Sequence, residues 1–329
     1  MGPIQQFRRS VRTGVAAVWL ILLAVAGSGC SVKTYAINMV GNALASGDSV
    51  YETDDDIELV GQALPFGLKL TESLLVQSPR HRGLLLTACR GFVLYSYGYV
   101  DYASQLAAED DLDRARALRL RARKLYQRGL RYGFRSLEQS YPRLEAALLT
   151  DPKAAVATIG AKKKDRTRDV ELLYWSAAAL GLAISASPDD AAMLARLPEV
   201  EAMLDRALAL DESWDRGALH EFKVIFAGAN PGAPADVELI KKHYDRAFEL
   251  SKGSSAALYV AYAEAVAQPG QDKAEFRALL EKAIAIDPDS VPADRLTNLV
   301  SQRRARWLLG RIDDLILDDE GTAPRGARQ

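Results

Sequence analysis

The chain has 329 residues, 49% hydrophobic and 26% charged, with 42 Lys and Arg against 43 Asp and Glu. A net charge of −1 leaves no electrostatic footprint for nucleic acid or another polyanion. Aromatic content of 8% with 23 Gly and 13 Pro excludes wholesale disorder, and the length suits one large or two average domains.

Residues 1–29 read as a targeting segment. Arg8, Arg9 and Arg12 precede an apolar stretch from Val15 to Ala26, shorter than the roughly 20 residues a membrane span needs but right for a signal-peptide core. Gly27-Ser28-Gly29-Cys30 follows, and here the chain resembles a bacterial lipoprotein, although Gly27 departs from the usual Leu. The resemblance implies that Cys30 becomes the acylated first residue, with several acyl chains giving an anchorage that a single chain cannot. Ser31 in place of Asp resembles lipoproteins passed to the outer membrane. The expected location is therefore the periplasm, lipid-anchored, at the outer membrane. The alternative for Cys30 is a disulfide with Cys89, the other cysteine. Cys89 sits in the apolar run "GLLLTACRGF", where a free thiol packs as a small hydrophobe.

Residues 30–60 are expected to supply a tether and a first helix, and 61–312 an all-α domain of stacked antiparallel helical hairpins. "LTESLLVQSPRHRG" from Leu70 is a helix running to a break at Pro79. Phe92, Tyr95, Tyr99 and Tyr102 step 3-4-3, which puts them on one helix face. From Ala115, the positions Leu118, Ala122, Leu125, Gly129 and Tyr132 continue a buried stripe. The other faces of that helix are basic, with Arg114, Arg121 and Arg128 among them. They form either a solvated, ion-paired surface or a docking face for an acidic partner. Glu109, Asp110, Asp111 and Asp113 crowd its start, where the helix dipole favours acids.

Segment 151–170, with Lys162, Lys163 and Lys164 together, reads as a short helix and an exposed connection between an N-terminal and a C-terminal half. Tyr174 and Trp175 then lead the Ala- and Gly-rich helix "YWSAAALGLAIS". Next come three alignable segments, "LDRALALDESW" from Leu204, "YDRAFELSKGS" from Tyr244 and "LEKAIAIDPDS" from Leu280. They bring Ala207, Ala247 and Ala283 into register at intervals of 40 and 36 residues. That spacing marks helical-hairpin repeats of the tetratricopeptide kind, and a small residue at the shared position lets two helices approach closely. Degenerate repeats in one superhelical domain are the expected architecture; "GANPGAP" at 228–234 is a loop and 313–329 a flexible tail.

No chemistry emerges from the motifs. His81, His220 and His243 are far apart in sequence and lack metal-ligand spacing. There is no phosphate loop, dinucleotide fingerprint or nucleophile elbow. No metal or cofactor is expected, and the reading is non-enzymatic. His220 is taken either as a buried, hairpin-bridging residue or as a ligand contact. Aromatic stripes are core or pocket by the same spacing; as a channel wall the candidates are Tyr95, Tyr99, Tyr102, Tyr174 and Trp175.

"LYQRGLRYGF", "LLYWSAAALGLAIS" and "EAMLDRALALDESWDRGALHEF" carry a further resemblance, covering about Gly61 to Leu309. In these segments the chain resembles the T-component (TatT) family of tripartite ATP-independent periplasmic (TRAP) transporters. Tyr174 and Trp175 fit the family's pattern; Leu180 departs from it. The resemblance implies a periplasmic lipoprotein of degenerate tetratricopeptide-like repeats that associates with the transporter's solute-binding P component. It also implies a hydrophobic cleft or pore for a small apolar or organic-acid ligand, and leaves room for a homo-oligomer such as a trimer. The alternative is a general envelope scaffold of the same architecture with no ligand.

Overall fold

Asp56 opens the first long helix, α1 (Ile57–Gln77), by accepting the backbone N–H of Leu59 at 2.8 Å. The same device, a short acidic or hydroxyl side chain taking an otherwise orphaned N–H, recurs along the chain at Asp111, Asp151, Asp190, Asp236, Ser255 and Asp272. The computed structural model describes residues 39, 41–42, 50–229 and 235–317, and among them there is helix and no strand. The targeting segment and Cys30 lie outside the described residues, as do 230–234 of the "GANPGAP" loop. No described helix is long and apolar enough to cross a membrane.

After α1 come α2 (Arg82–Tyr95), a π-helical segment (Ser96–Asp101), α3 (Tyr102–Ala107) and the long α4 (Leu112–Leu137). Short α5 (Leu144–Thr150) and α6 (Pro152–Val156) lead to α7 (Arg166–Ser185), α8 (Ala191–Leu194) and α9 (Leu197–Leu210). α10 (Ala218–Gly228) follows a tight turn at Trp214–Gly217; α11 (Val237–Ser251) and α12 (Ala256–Tyr262) come next, and a second π segment (Ala263–Ala267) extends α12. α13 (Lys273–Ala285), α14 (Arg295–Gly310) and α15 (Ile312–Leu315) end the described chain.

One apolar core is built from α2, α4, α7 and α9, and reaches Leu219 at the start of α10. A smaller cluster joins α1 to α2. A separate core takes Val224 from the same α10 together with α11 to α15. The two halves therefore meet within α10. This moves the expected boundary: Val156 and Ile159 are buried in the first core and Arg206 caps the Ile159 carbonyl, so 151–170 connects parts of one lobe, although Lys162, Lys163 and Lys164 are exposed. The fold also continues past residue 312, with Ile316 buried in the second core.

Close crossings fall where small residues stand. A Cβ on Gly129 would lie 3.0 Å from the Cys89 carbonyl oxygen, and one on Gly133 would lie 2.4 Å from the Ser176 hydroxyl. That is why α4 can lie against both α2 and α7. Ala207, Ala247 and Ala283 are all buried, on α9, α11 and α13. On α4 the buried line runs through Ala115, Ala122, Tyr126, Gly129 and Gly133, leaving Leu118, Leu125 and Tyr132 at its rim.

Candidate functional site

Between its exposed ends α7 is buried almost all round, except for a stripe through Glu171, Tyr174, Trp175, Gly181 and Leu182 that keeps partial exposure. Facing residues come from four other elements. Tyr97 stands in the first π segment, Glu221 and Phe222 on α10, Glu264 in the second π segment and Arg304 on α14. π segments insert a residue into the helical turn and re-aim the side chains that follow, which is how they recur at functional positions. Here the two of them bring Tyr97 and Glu264 within reach of the same Arg304 charge.

Tyr97 keeps 41% of its surface accessible, yet its phenol is pushed up from its ordinary range. Desolvation is the largest cause; Arg304 opposes it, while Glu264, Glu221 and Asp101 add to it. Tyr97 is accessible while charged groups on α10, the second π segment and α14 act on it, and we read the space between these elements as a recess. Tyr174 behaves alike: its phenol is raised by desolvation and then by Glu221, Asp215 and Tyr97. Its ring packs 4.8 Å from Trp214, 5.0 Å from Trp175 and 5.8 Å from Phe222. The wall is aromatic on the α7 and α10 sides and acidic between them.

The acids are under-compensated. Burial raises the Glu221 carboxyl to about 7, with only the Ser255 hydroxyl, 2.7 Å away, favouring its charge. Asp215 and Glu171 are likewise raised, by desolvation first. The arginines nearby are engaged: Arg90 with Glu52 and, at 3.9 Å, with Glu171, Arg216 with Asp294, and Arg304 with Glu264 through bonds of 2.6 and 3.0 Å. Asp215 and Arg216 sit at φ 44° and 50°, followed by Gly217 at 96°. Left-handed backbone at non-glycine residues costs about 1–3 kcal/mol each and persists only where its surroundings over-determine it. The Trp214 ring on Tyr174 and the Arg216–Asp294 pair do so here. Gly217 completes the turn because a Cβ there would press on Leu250 and Ala247 of α11.

The other candidate residues are dispersed. Tyr174 faces the recess, with Trp175 edge-on to it. Tyr95, Tyr99 and Tyr102 stay neighbours, the first two stacked with ring centroids 5.8 Å apart and Arg303 lying over both Tyr99 and Tyr102, and they pack against other helices. The Tyr95 hydroxyl accepts from Arg121, and Tyr99 packs on Gly61 and donates to the Ile57 carbonyl, while Tyr102 meets Trp307 edge-on. His220 lies elsewhere, its Nδ1 2.8 Å from Nδ1 of His243, where it bridges α10 and α11. Around the pair is an outer cleft of about 460 Å³ lined by Glu212, Lys242, Arg246 and Glu249 among others. The described residues include no group of three or more His, Cys, Asp or Glu placed to hold a metal. On α4, Arg128 bonds Glu72 of α1 and Arg121 bonds Tyr95, so these two serve the helix packing; Arg114 is exposed.

Tyr97, Trp214, Asp215, Glu221 and Glu264 were not legible as site residues. Glu221 stood beside His220, and the 100° between adjacent helical positions is what sends one inward and the other to the outer cleft. Tyr97 belongs to no repeating stripe, lying two positions from both Tyr95 and Tyr99 and so on the opposite helix face.

The sequence matches the TRAP transporter T-component family over residues 53–316. It is also similar to an uncharacterised protein of Treponema pallidum (strain Nichols), with 31% identity over 307 residues that cover 88% of this chain and 94% of the relative.

Proposed function

The chain belongs to the TRAP transporter T-component family, and on that premise we propose that it is a non-enzymatic accessory lipoprotein of a TRAP-type transport system. In this reading it docks the solute-binding component and admits a small ligand to the recess between α2, α7, α10, α12 and α14. The observation that carries it is the joint accessibility and desolvation of Tyr97 with the aromatic cluster around Tyr174. An apolar or amphipathic ligand fits that wall better than an organic acid. An anion entering the recess meets Glu171, Asp215 and Glu221, and finds Arg90, Arg216 and Arg304 already paired; unpaired buried charge is costly. The helix pairs are read as degenerate tetratricopeptide-like repeats, with Ala207, Ala247 and Ala283 as their shared crossing position, and Cys30 as the anchor to the outer membrane on its periplasmic side.

The test is calorimetry of the purified protein against the solute-binding component of its own transporter, beside titration with a neutral apolar dye. Binding of both supports the reading. Binding of neither returns the protein to a plain envelope scaffold. Unchanged membrane attachment after Cys30→Ala would remove the lipoprotein part alone.

A further inference from the structure

The two lobes touch on both sides of the recess, and the two contacts differ in kind. On one side they share α10, whose Leu219 belongs to the first core and Val224 to the second. On the other side α14 returns to the N-terminal elements, and the apolar clusters there include no α14 residue. What joins them is mostly polar, with one ring contact, Trp307 edge-on to Tyr102 at 6.3 Å. The Leu296 N–H donates to the Glu52 carbonyl at 3.0 Å and Arg295 to the Thr53 carbonyl at 3.1 Å. Arg303 reaches Glu58 at 3.2 Å and the Gly98 carbonyl at 2.9 Å, and lies over the Tyr102 ring at 4.8 Å. Arg304 donates to Gln105 at 2.7 Å, while Trp307 Nε1 and Arg311 both engage Glu109, at 2.9 and 3.3 Å.

The chemistry is one-sided: arginines and an indole N–H on the α14 side face carboxylates, carbonyls and rings on the other. The Glu58 side chain is 74% exposed and that of Glu109 39% exposed. Exposed ion pairs are individually weak and screened by salt. Breaking this contact returns polar groups to water and uncovers the Tyr102 and Trp307 rings but no shared apolar cluster, whereas parting the lobes at α10 would split a helix.

We propose that the seam between α14 and residues 52–109 is a separable clasp, with α10 as the hinge, through which the recess opens sideways. The inference rests on the recess being a ligand site. Arg304 is the inner bolt, holding Glu264 of its own lobe and Gln105 of the other across the mouth next to Tyr97. A ligand or partner segment of any length enters by parting the clasp, with no need to thread an end opening.

The experiment places spin labels on exposed positions of the full chain carrying Cys30→Ser; Cys89 is fully buried and does not compete. Labels at Gln62 and Arg306 read the seam, and labels at Glu201 and Glu238 read the α10 side. A single seam distance is expected in about 0.1 M salt, and a second, longer population in about 1 M salt, where the screening length falls to about 3 Å. The variant Arg303→Ala with Glu109→Gln is expected to show the longer population already at low salt, while the α10-side distance stays constant throughout. A seam distance unmoved by salt overturns the clasp, and because the salt titration needs no seam substitution, misfolding of the double variant leaves it decisive. Association of the neutral dye Nile red is followed in parallel and is expected to speed several-fold on opening. A clasp that opens without dye binding sinks the ligand reading alone, and dye entry at a rate indifferent to salt and to the variant sinks the clasp as entrance.

Discussion

The Tyr174 ring lies 4.8 Å from that of Trp214, and this contact fastens the stripe of α7 to a turn whose next three residues are left-handed. Tyr174 has one packed side and one open side, and its hydroxyl has no hydrogen-bond partner among the described residues. Tyr174→Phe is therefore expected to leave stability within about 0.5 kcal/mol. Tyr174→Ala should cost less than the roughly 3–5 kcal/mol of a filled core aromatic and should weaken apolar dye binding. Phe134→Ala, at a position only 2% exposed, should show the full core loss with dye binding kept. Urea midpoints and dye titrations on the three variants decide it; a Tyr174→Ala loss equal to that of Phe134→Ala, with dye binding intact, would assign the ring to the core.

Glu221 gives the recess a pH signature. Its folded carboxyl sits at about 7, above its ordinary value of 4.5. Between those values the folded state holds the extra proton, so the contribution is fully present below pH 4.5 and is lost as pH rises through 7. Glu221→Gln keeps the shape and removes the titration. The variant should gain on the unsubstituted protein by on the order of 2–4 kcal/mol between pH 4.5 and 8. Parallel stability curves for the two proteins over that range would contradict the burial of this carboxyl.

What the sequence made legible is what a regular helix encodes. The acid cluster at the start of α4, the small residues at Gly129 and Ala207 and the buried thiol of Cys89 each depend on a few neighbouring positions, and each stands where its spacing put it. The recess depends on departures from regularity. Tyr97 lies in the π segment at Ser96–Asp101, two positions from both Tyr95 and Tyr99 and so on the opposite face from them, and the left-handed run at Asp215 and Arg216 carries no Asn or Gly at its first two positions to advertise it. Across the seam, the partners Gly98 of Arg303 and Gln105 of Arg304 lie 205 and 199 positions away along the chain. No local pattern reports such contacts.

The aligned alanines carry a stability prediction. Ala207 is wholly buried on α9 in the first core, and its neighbours are already at van der Waals contact in a close-packed interior. Ala207→Leu should cost about 1–3 kcal/mol by overpacking, whereas Ala209→Leu, one residue beyond Leu208 on the same helix and exposed, should be near neutral. Equal urea midpoints for the two variants would place Ala207 outside a helix crossing.

The His220–His243 pair predicts loss of stability in mild acid. With Nδ1 facing Nδ1 at 2.8 Å, one ring must donate and the other accept, so the arrangement tolerates one neutral tautomer on each side and no second proton between them. Desolvation, then the neighbouring His220, Lys223 and Lys242, hold His243 down at about 4, with Asp205 opposing; His220 is lowered as well, by desolvation, against Glu212. The folded value lies below the ordinary 6.5, so in the interval between them the unfolded chain binds the additional proton. The contribution is therefore fully present above pH 6.5 and drains away as pH falls through 4. Replacing His243 by Gln removes the titrating ring while leaving a hydrogen-bonding side chain against His220. Urea midpoints taken between pH 7.5 and 4 should fall more steeply for the unsubstituted protein than for His243→Gln, and a His243 ring resonance that titrates near 6.5 in the folded state would refute the account of the pair.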